Sequence, residues 1–236
     1  MKISIIMPAY NEEATIKKNI LDYCSYFNKS DEEYEVIVSC NGCVDKTVEI
    51  VSNISRNNKN VKCLEFSEKI GKGKAVIEGF KVAKGEIIGF VDADDAYNYR
   101  DVASLIKEIE LNGSDMVIAS KWKNICFKDA EGTFFRKIAG RVWNKIIKLL
   151  FDLNFEDTQG GSKFIKRKAL KDILNKLKCT GFEFDVELLW RVNQNNYNIK
   201  EIFIPSVSGN NSSLIMKDYF SMLFKILQIR IGAIDE

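Results

Sequence analysis

A short apolar run that ends in carboxylates places the strongest constraint on the fold. Ile87–Val91 is bounded by glycine and acids and is too short for an independent helix, so it predicts a strand buried on both faces of a parallel sheet. Alternate side chains of an extended chain point the same way, so Asp92 and Asp94 are placed to converge on one hard cation while Asp95 faces elsewhere. Open parallel sheets bind ligands at the carboxyl ends of their strands, which predicts an oxygen-only metal site. The alternative is an acidic turn that caps the next helix.

Further apolar runs alternate with helical patterns along the chain. Additional strands are predicted at residues 3–7, 34–39, 61–66, 116–119 and 199–204. Asn11 is predicted to be the N-cap of the first helix, and Asn98 with Asp101 to form a capping pair at a later one. Strands that alternate with helices predict an α/β fold whose sheet is mostly parallel and doubly wound, with helices on both faces.

Composition excludes several kinds of chemistry. The 236 residues are 46% hydrophobic and 29% charged, which predicts a substantial core. The chain has no histidine, which removes imidazole metal ligands and histidine-based triads. A formal net charge of +2 gives no overall signature of nucleic-acid binding. The six cysteines are scattered, and only Cys40 and Cys43 form a close pair, so we expect free thiols in a reducing compartment.

Two segments of the second half bear on membrane association. Phe134–Phe151 carries apolar residues at helical spacing among lysines and arginines, which predicts either a basic helix on an anionic membrane or an ordinary helix with a core face and solvated lysines. Residues 219–231 are mostly apolar but too few for a bilayer span, which needs roughly 18 apolar residues or more. With no signal peptide visible, we expect a cytoplasmic protein, peripheral to the cytoplasmic face of a membrane.

Six motifs resemble those of known enzymes. Residues 8–12, 41–47 and 92–94, which follow three predicted strands, resemble the family-2 glycosyltransferases. The other three motifs, residues 71–76, 157–163 and 184–189, resemble those of the polyprenyl-phosphate sugar synthases. Among these enzymes, the dolichyl-phosphate β-glucosyltransferases match better than the mannose synthases. The resemblance implies a GT-A type nucleotide-diphospho-sugar transferase fold. We predict a glycosyltransferase catalytic domain over residues 1–210 and, from the apolar pattern, a C-terminal helix over 211–236, packed on the core or associated with a membrane or a partner.

The resemblance also implies roles for individual residues. Those that would line the nucleoside pocket are Pro8, Tyr10, Glu12 and Asn41. Those that would hold Mg²⁺ or Mn²⁺ against the diphosphate are Asp92 and Asp94. Those that would contact the lipid phosphate are Ser120, Lys121 and Arg136, while Asp157 would lie at the floor of the sugar site. Two departures bear on specificity. Asn41 stands where the family often has Asp, and Ala96 replaces a glutamine that assists the metal in the mannose synthases, which favours glucose.

A basic, glycine-rich loop is the candidate for assisting the leaving diphosphate. Lys72 and Lys74 alternate with glycines where a helix begins, and such a loop favours anions. The alternative is that both lysines are simply solvated. The loop is not a Walker phosphate loop, because it lacks the four-residue gap between glycines and the Lys-Ser/Thr ending.

The chemistry of the acceptor decides whether a general base is needed. A sugar hydroxyl must lose a proton, for which Glu156 and Asp157 are candidate bases. A lipid phosphate is mostly dianionic at neutral pH and needs cations instead. With no histidine and basic residues concentrated over 121–148, the sequence favours a phosphate acceptor.

We therefore predict a metal-dependent, inverting transfer of a hexose, glucose from UDP-glucose, to a polyprenyl phosphate at a membrane surface, with or without a membrane-protein partner. Three alternatives stay open. The chain could be a GDP-mannose-dependent polyprenyl-phosphate mannose synthase, or a transferase that extends a glycan with Asp157 as base. From a different class, it could be a non-catalytic subunit that binds a sugar nucleotide.

Overall fold

The structure is a computed structural model that describes residues 2–30, 32–94, 97–124, 134–205, 216–230 and 232, without the side chains of 134–137, 139 and 216–220. The strands are β1 (Ile3–Ala9), β2 (Tyr34–Asn41), β3 (Val61–Phe66), β4 (Ile87–Val91), β5 (Met116–Ser120), β6 (Ser162–Lys166) and β7 (Ile199–Phe203). The helices are α1 (Ile16–Lys29), α2 (Thr47–Asn57), α3 (Lys72–Val82), α4 (Tyr99–Asn112), α5 (Phe134–Phe151), α6 (Arg167–Leu174), α7 (Phe184–Gln194) and α8 (Met216–Arg230).

Within the described residues, seven strands form one mixed sheet in the order β3-β2-β1-β4-β6-β5-β7. β1 pairs in parallel with β2 and β4, and β7 pairs in parallel with β5. β6 runs antiparallel to both of its neighbours, β4 and β5. The amino end of β6 therefore lies at the same edge as the carboxyl ends of the other strands, and it is at this edge that the predicted site residues meet.

The core is divided by the sheet into two apolar layers. One layer joins α1, α2 and α4 to one face, through residues such as Ile20, Val51 and Leu105. The other layer joins α3, α5, α6, α7 and α8 to the opposite face, through residues such as Phe80 and Trp143. Because the central strands are covered on both sides, they are continuous apolar runs rather than alternating ones. This is the doubly wound arrangement that the sequence predicts.

The six strands predicted from the sequence are confirmed, whereas the predicted N-cap of α1 is wrong. Helix α1 begins at Ile16 with Thr15 as its N-cap. Asn11 instead has a φ of +56°, which asparagine tolerates, and its Oδ1 accepts a hydrogen bond of 2.9 Å from the backbone N–H of Val44. Residues 11–15 are therefore used to hold the loop after β2. The predicted capping pair of α4 is confirmed, since Asn98 and Asp101 cap each other's backbone.

Helix α5 has the core face of an ordinary packed helix, while its binding to a membrane stays a prediction. Trp143 and Ile147 are 3% and 0% exposed and belong to the core, as in an ordinary packed helix. Ile138, Val142 and Leu149 lie on the opposite side and are 41%, 51% and 86% exposed. The apolar residues of α5 therefore divide between a buried face and an exposed stripe.

The C-terminal helix α8 packs on the core. Its residues Met222, Ile226 and Ile229 are at most 3% exposed, and the ammonium of Lys225 lies 2.9 Å from the carboxylate of Glu183, the N-cap residue of α7. The predicted boundary between residues 210 and 211 falls outside the described residues and stays a prediction. None of the helices in the described ranges combines the length and apolar character that crossing a membrane requires.

Candidate active site at the carboxyl edge of the sheet

Asp92, the residue that follows β4, forms the centre of the candidate site. Its Oδ1 lies 2.8 Å from the ammonium of Lys72, and its backbone N–H donates to the carbonyl of Gly161 at 2.9 Å. Burial raises the pKa of Asp92 above its ordinary value, and the Lys72 cation opposes this rise. Asp94 is exposed two residues further on, and Asp95 with Ala96 lies outside the described residues. The structure thus brings Lys72 to Asp92, a contact that the sequence analysis did not specify.

The loop before α3 is shaped so that Lys72 enters the cleft. Asn41 is buried, and its Oδ1 accepts hydrogen bonds from the backbone N–H groups of Ile70 and Gly71 at 2.8 and 3.2 Å. Gly71 has a φ of +94°, and a Cβ at this position would lie 2.2 Å from the carbonyl oxygen of Thr180. Only glycine fits such a close approach. Asn41 therefore positions the lysine loop as well as bordering the predicted nucleoside pocket.

A buried ion pair stands behind Lys72. The second partner of its ammonium is Asp185 of α7, at 3.7 Å, and Asp185 in turn accepts a hydrogen bond from Lys163 of β6. Lys163 also donates to the carbonyl of Gly160 at 2.6 Å. Burial tends to lower the pKa of Lys72, but Asp92 and Asp185 outweigh it and the pKa is raised. Four charged side chains therefore form one chain of contacts from the core to the cleft.

The loops after β1 and β2 form the other wall of the cleft. Pro8 is half-buried near the end of β1, and the ring of Tyr10 is 42% exposed with the ammonium of Lys69 3.7 Å from its centre. Glu12 donates its backbone N–H to Thr47 at 2.8 Å and accepts a 2.9 Å hydrogen bond from the hydroxyl of Thr15. The proposed nucleoside-binding residues therefore lie at one edge of the sheet, while their contacts with a nucleoside stay predictions.

Helix α1 holds the loop that contains the two aspartates. The side-chain amide of Asn19, 5% exposed, donates to the carbonyl of Ala93 at 2.8 Å. The hydroxyl of Tyr23 donates to the carbonyl of Tyr97 at 3.0 Å. These two residues are not among those predicted from the sequence. Their signal was a polar group on the apolar face of α1, because a buried amide or phenol requires a hydrogen-bond partner.

Asp157 lies in the turn before β6 and is 2% exposed. Its carboxylate accepts hydrogen bonds from the backbone N–H groups of Lys121 and Gln159, at 3.2 and 3.1 Å. Its own N–H donates to Glu201 at 2.8 Å. Burial raises the pKa of Asp157, and the cation of Lys121 opposes this. The hydrogen bonds of the Asp157 carboxylate therefore connect its own turn to the residue that follows β5.

The residues predicted to contact a lipid phosphate are placed differently from one another. Ser120 is fully buried, and its hydroxyl accepts hydrogen bonds from the backbone of Trp122 and Lys123 at 3.2 and 3.0 Å, so it shapes the turn. Lys121 is exposed, with its ammonium 5.8 Å from the centre of the Trp122 ring. Arg136 belongs to α5, and its side chain lies outside the described part of the chain. Their contacts with a phosphate stay predictions.

Lys74 is not brought to the site by the structure. Its side chain is 41% exposed and pairs with Glu78 one turn along α3, at 3.0 Å. Of the two lysines in the glycine-rich loop, only Lys72 contacts the aspartates. Lys74 is solvated, as the alternative interpretation of this loop predicts for both lysines.

The carboxylates at this edge fit a divalent cation that arrives with a phosphorylated ligand. In the described ranges, no three acidic, cysteine or histidine side chains are grouped as a complete metal site would require. Burial raises the pKa of Glu12, and the carboxylates of Asp94 and Asp92 raise it further, so the three lie within electrostatic reach. Mg²⁺ is usually held by one or two carboxylates together with substrate phosphates. Asp92 and Asp94 are suited to that mode.

Gly161 leaves room for the Asp92 carboxylate, and this gives a prediction. A Cβ at Gly161 would lie 2.1 Å from Oδ2 of Asp92, whereas one at Gly160 would lie 2.0 Å from the backbone oxygen of Ala119. We expect Gly161→Ala to turn the Asp92 side chain away and to lower kcat/KM by about tenfold or more. The unfolding free energy should fall by only about 1 kcal/mol, because the Asp92 side chain can move. Gly160→Ala should cost about 3 kcal/mol, because the backbone cannot.

Enzyme kinetics and chemical unfolding of the two variants check this expectation. Wild-type kinetics in Gly161→Ala would show that the position of Asp92 does not matter for turnover.

Solved structures define the class of this fold. Glucosyl-3-phosphoglycerate synthase from Mycobacterium tuberculosis, crystallised with Mn²⁺, uridine diphosphate and phosphoglyceric acid, superposes with a TM-score of 0.70 at 20% identity, covering 98% of this chain and 78% of that one. Mannosyl-3-phosphoglycerate synthase from Rubrobacter xylanophilus superposes with a TM-score of 0.71 at 14% identity, covering 98% of this chain and 74% of that one. The fold is that of a GT-A type glycosyltransferase.

Sequence comparison then gives the family. Residues 4–174 match the family described as Glycosyl transferase family 2, and the chain belongs to that family. The dolichyl-phosphate β-glucosyltransferase of Drosophila melanogaster is 31% identical over 91% of this chain and 69% of its own length. Its namesake in Dictyostelium discoideum is 28% identical over 90% of this chain and 68% of its own length. Glycosyltransferase AglD of Haloferax volcanii is 24% identical over 97% of this chain, which spans only 37% of AglD.

Proposed function

We propose that this glycosyltransferase moves glucose from UDP-glucose to a dolichyl-type polyprenyl phosphate, with inversion at the anomeric carbon, at the cytoplasmic face of a membrane. The observation that carries the proposal is the meeting of Lys72 with Asp92, two residues before Asp94, at the carboxyl edge of the sheet. Carboxylates for a cation and an ammonium for a phosphate are the groups that a departing nucleoside diphosphate requires.

The donor half of the proposal rests on these charges and on relatives. Mg²⁺ or Mn²⁺ held by Asp92 and Asp94 would supply electrostatic stabilisation of the diphosphate. Lys72 would bind a phosphate oxygen, and the exposed ring of Tyr10 would border the base. The relatives named dolichyl-phosphate β-glucosyltransferase, and a structural neighbour crystallised with uridine diphosphate, support glucose and uridine.

The acceptor half of the proposal rests on the state of Asp157. A general base needs a carboxylate that can reach the hydroxyl it deprotonates. Asp157 is 2% exposed and already accepts two backbone hydrogen bonds, which suits a positioning role. A phosphate acceptor removes the need for a base, because its anionic oxygen can attack the anomeric carbon directly. As that bond forms, the bond to the diphosphate oxygen breaks and its electron pair leaves with UDP.

The experiment that tests the proposal offers UDP-glucose and GDP-mannose, each with a polyprenyl phosphate and Mn²⁺. We expect labelled glucose to enter the lipid phase and the product to have the β configuration. Labelled mannose in its place would indicate a mannose synthase. Transfer to a sugar hydroxyl, lost on Asp157→Asn, would favour the glycan-extending alternative. Absence of both transfer and metal-dependent donor hydrolysis would leave a non-catalytic binding subunit.

A membrane surface is proposed for the exposed side of α5. The stripe of Ile138, Val142 and Leu149 is exposed although apolar, and the basic residues Lys145 and Lys148 lie beside it. Apolar residues next to lysines are typical of helices that lie in the interface of an anionic bilayer. The position of the stripe, opposite the core face of α5, leaves it open to such a surface. A membrane-protein partner is a second occupant that the same surface allows.

Flotation with liposomes gives a prediction for this surface. We expect the wild-type protein to float with liposomes that contain anionic lipid, and Val142→Glu/Leu149→Glu to lose most of this binding, because two charges would enter the apolar layer. Leu111→Glu is the matched control, since Leu111 is 79% exposed on α4 at the opposite face of the sheet. If the double variant and the control float equally, α5 is not the membrane-binding helix.

A further inference from the structure

The charged chain behind the site has an inner and an outer half. The inner pair, Lys163 and Asp185, has side chains that are 0% and 1% exposed. The outer pair, Lys72 and Asp92, is 17% and 29% exposed and borders the cleft. Breaking a buried pair is costly, whereas a pair in contact with water can exchange partners. Only the outer pair can therefore rearrange when a ligand enters.

The charges of this chain balance without a ligand. Two ammonium groups, of Lys72 and Lys163, face two carboxylates, of Asp92 and Asp185. The ammonium of Lys72 lies 2.8 Å from Oδ1 of Asp92. The centres of the Phe90 and Phe182 rings lie 5.5 and 5.9 Å from that ammonium and flank it. A cation bound to Oδ1 of Asp92 must therefore displace the Lys72 ammonium from this contact.

We propose that Lys72 is the counter-ion of Asp92 until the cation and the diphosphate enter together, and that Asp185 keeps Lys72 in the cleft during this exchange. This inference rests on the proposed function, since it needs a metal-bound diphosphate. When the cation takes Asp92, the single carboxylate of Asp185 faces two ammonium groups, and the inner chain carries an excess positive charge. The diphosphate supplies the missing negative charge. The cation alone binds weakly for this reason, and the diphosphate strengthens its binding.

Lys163 and Asp185 act as positioning residues in this exchange. Lys163 holds Asp185 from the core side and is itself held by the carbonyl of Gly160, at 2.6 Å. Asp185 is the remaining carboxylate of the chain once Asp92 is occupied. Without it, Lys72 would lose its second partner at the moment when the cation binds, so binding of the cation alone should become weaker still.

The test is a titration with Mn²⁺, followed by the electron paramagnetic resonance of free Mn²⁺, without nucleotide and with UDP or GDP. The proteins are the wild type, Lys72→Met, Asp185→Asn and the control Lys81→Met, whose lysine pairs with Glu78 on the exposed side of α3. Circular dichroism and thermal unfolding establish that each variant is folded. UDP and GDP bind Mn²⁺ themselves, so the same titration without protein is subtracted. The result does not depend on turnover.

We expect a nucleoside diphosphate to tighten Mn²⁺ binding to the wild type about tenfold or more. Lys72→Met should bind Mn²⁺ alone several-fold more tightly than the wild type, and the added effect of nucleotide should be smaller than in the wild type but not lost, because the phosphates still ligate the cation. Asp185→Asn should bind Mn²⁺ alone more weakly than the wild type. Lys81→Met should match the wild type. If Asp185→Asn does not fold, the result for Lys72→Met decides alone.

The inference is overturned if Lys72→Met binds Mn²⁺ alone with unchanged or lower affinity while the wild type responds to nucleotide. In that case the proposed function stands and Lys72 is not the counter-ion. A wild-type protein that binds no Mn²⁺ even with nucleotide would overturn both the inference and the proposed function.

Discussion

Asp94→Asn is expected to lower kcat/KM for glucosyl transfer by at least about 100-fold, or about 2.7 kcal/mol of transition-state stabilisation. The amide removes one negative charge from the pair that would hold the cation, at the point where the charge of the leaving diphosphate develops. Asp94 is exposed, so the unfolding free energy should change by less than about 0.5 kcal/mol. Steady-state kinetics at saturating Mn²⁺, with chemical unfolding in parallel, measure both quantities.

The control for this variant is Asp22→Asn. Asp22 is a half-buried aspartate of α1 that pairs with Lys18 at 3.3 Å. It should retain wild-type kinetics. If Asp94→Asn stays within about threefold of the wild type, Asp94 is not a metal ligand, and the strand end must be interpreted as an acidic turn.

Lys163→Met is expected to give a large loss of stability, about 3 kcal/mol of unfolding free energy. The ammonium of Lys163 is 0% exposed and bonds to Asp185 and to the carbonyl of Gly160. Its removal leaves a buried carboxylate with Lys72 as its nearest cation, at 3.7 Å. This remaining contact places the expected loss at the lower end of the usual range of about 3–5 kcal/mol for a broken buried pair.

Urea unfolding checks this expectation: the midpoint urea concentration should fall while the m-value stays unchanged. Lys81→Met is the control, because Lys81 pairs with Glu78 at the surface and the loss of such a pair costs at most about 1 kcal/mol. The double variant Lys163→Met/Asp185→Leu removes both charges and should recover part of the loss, since an apolar pair can replace a buried ion pair. Equal stability of Lys163→Met and Lys81→Met would mean that the buried pair contributes nothing.

The fold could be predicted from local patterns, because each strand is an apolar run bounded by turn residues. Ile87–Val91 illustrates this, since its burial on both faces follows from the absence of any polar alternation. The direction of β6 could not be predicted, because an apolar run carries no information about which way a strand runs. The N-cap of α1 could not be assigned either. Asn11 is a good capping residue, but its side chain accepts a hydrogen bond from Val44 in another loop instead.

The aspartates of the site could be predicted, whereas the residues that support them could not. Asp92 and Asp94 follow a recognisable strand at the edge where ligands bind. Lys163 and Asp185 lie 22 positions apart, so only the tertiary structure shows that they pair. A signal did exist, since Asp185 lies in a helix whose residues 184–190 are all buried. A carboxylate in such a helix requires a partner, but the sequence does not identify it.

The reversed direction of β6 has a consequence for how enzymes with this sheet can diversify. Ile118 of β5 pairs with Lys163 of β6, so the chain leaves the sheet after Ser120 and returns at Ser162, on adjacent strands of the same edge. Residues 121–161, which include the exposed side of α5, therefore form a connection whose two ends both lie beside the candidate site. Because Trp143 and Ile147 of α5 belong to the core, only the exposed parts of this connection can be lengthened at a small entropic cost while the strand register stays the same. On the proposed function, changes within residues 121–161 that keep the core face of α5 would therefore alter the acceptor side of the cleft while Lys72 and Asp92 stay in place.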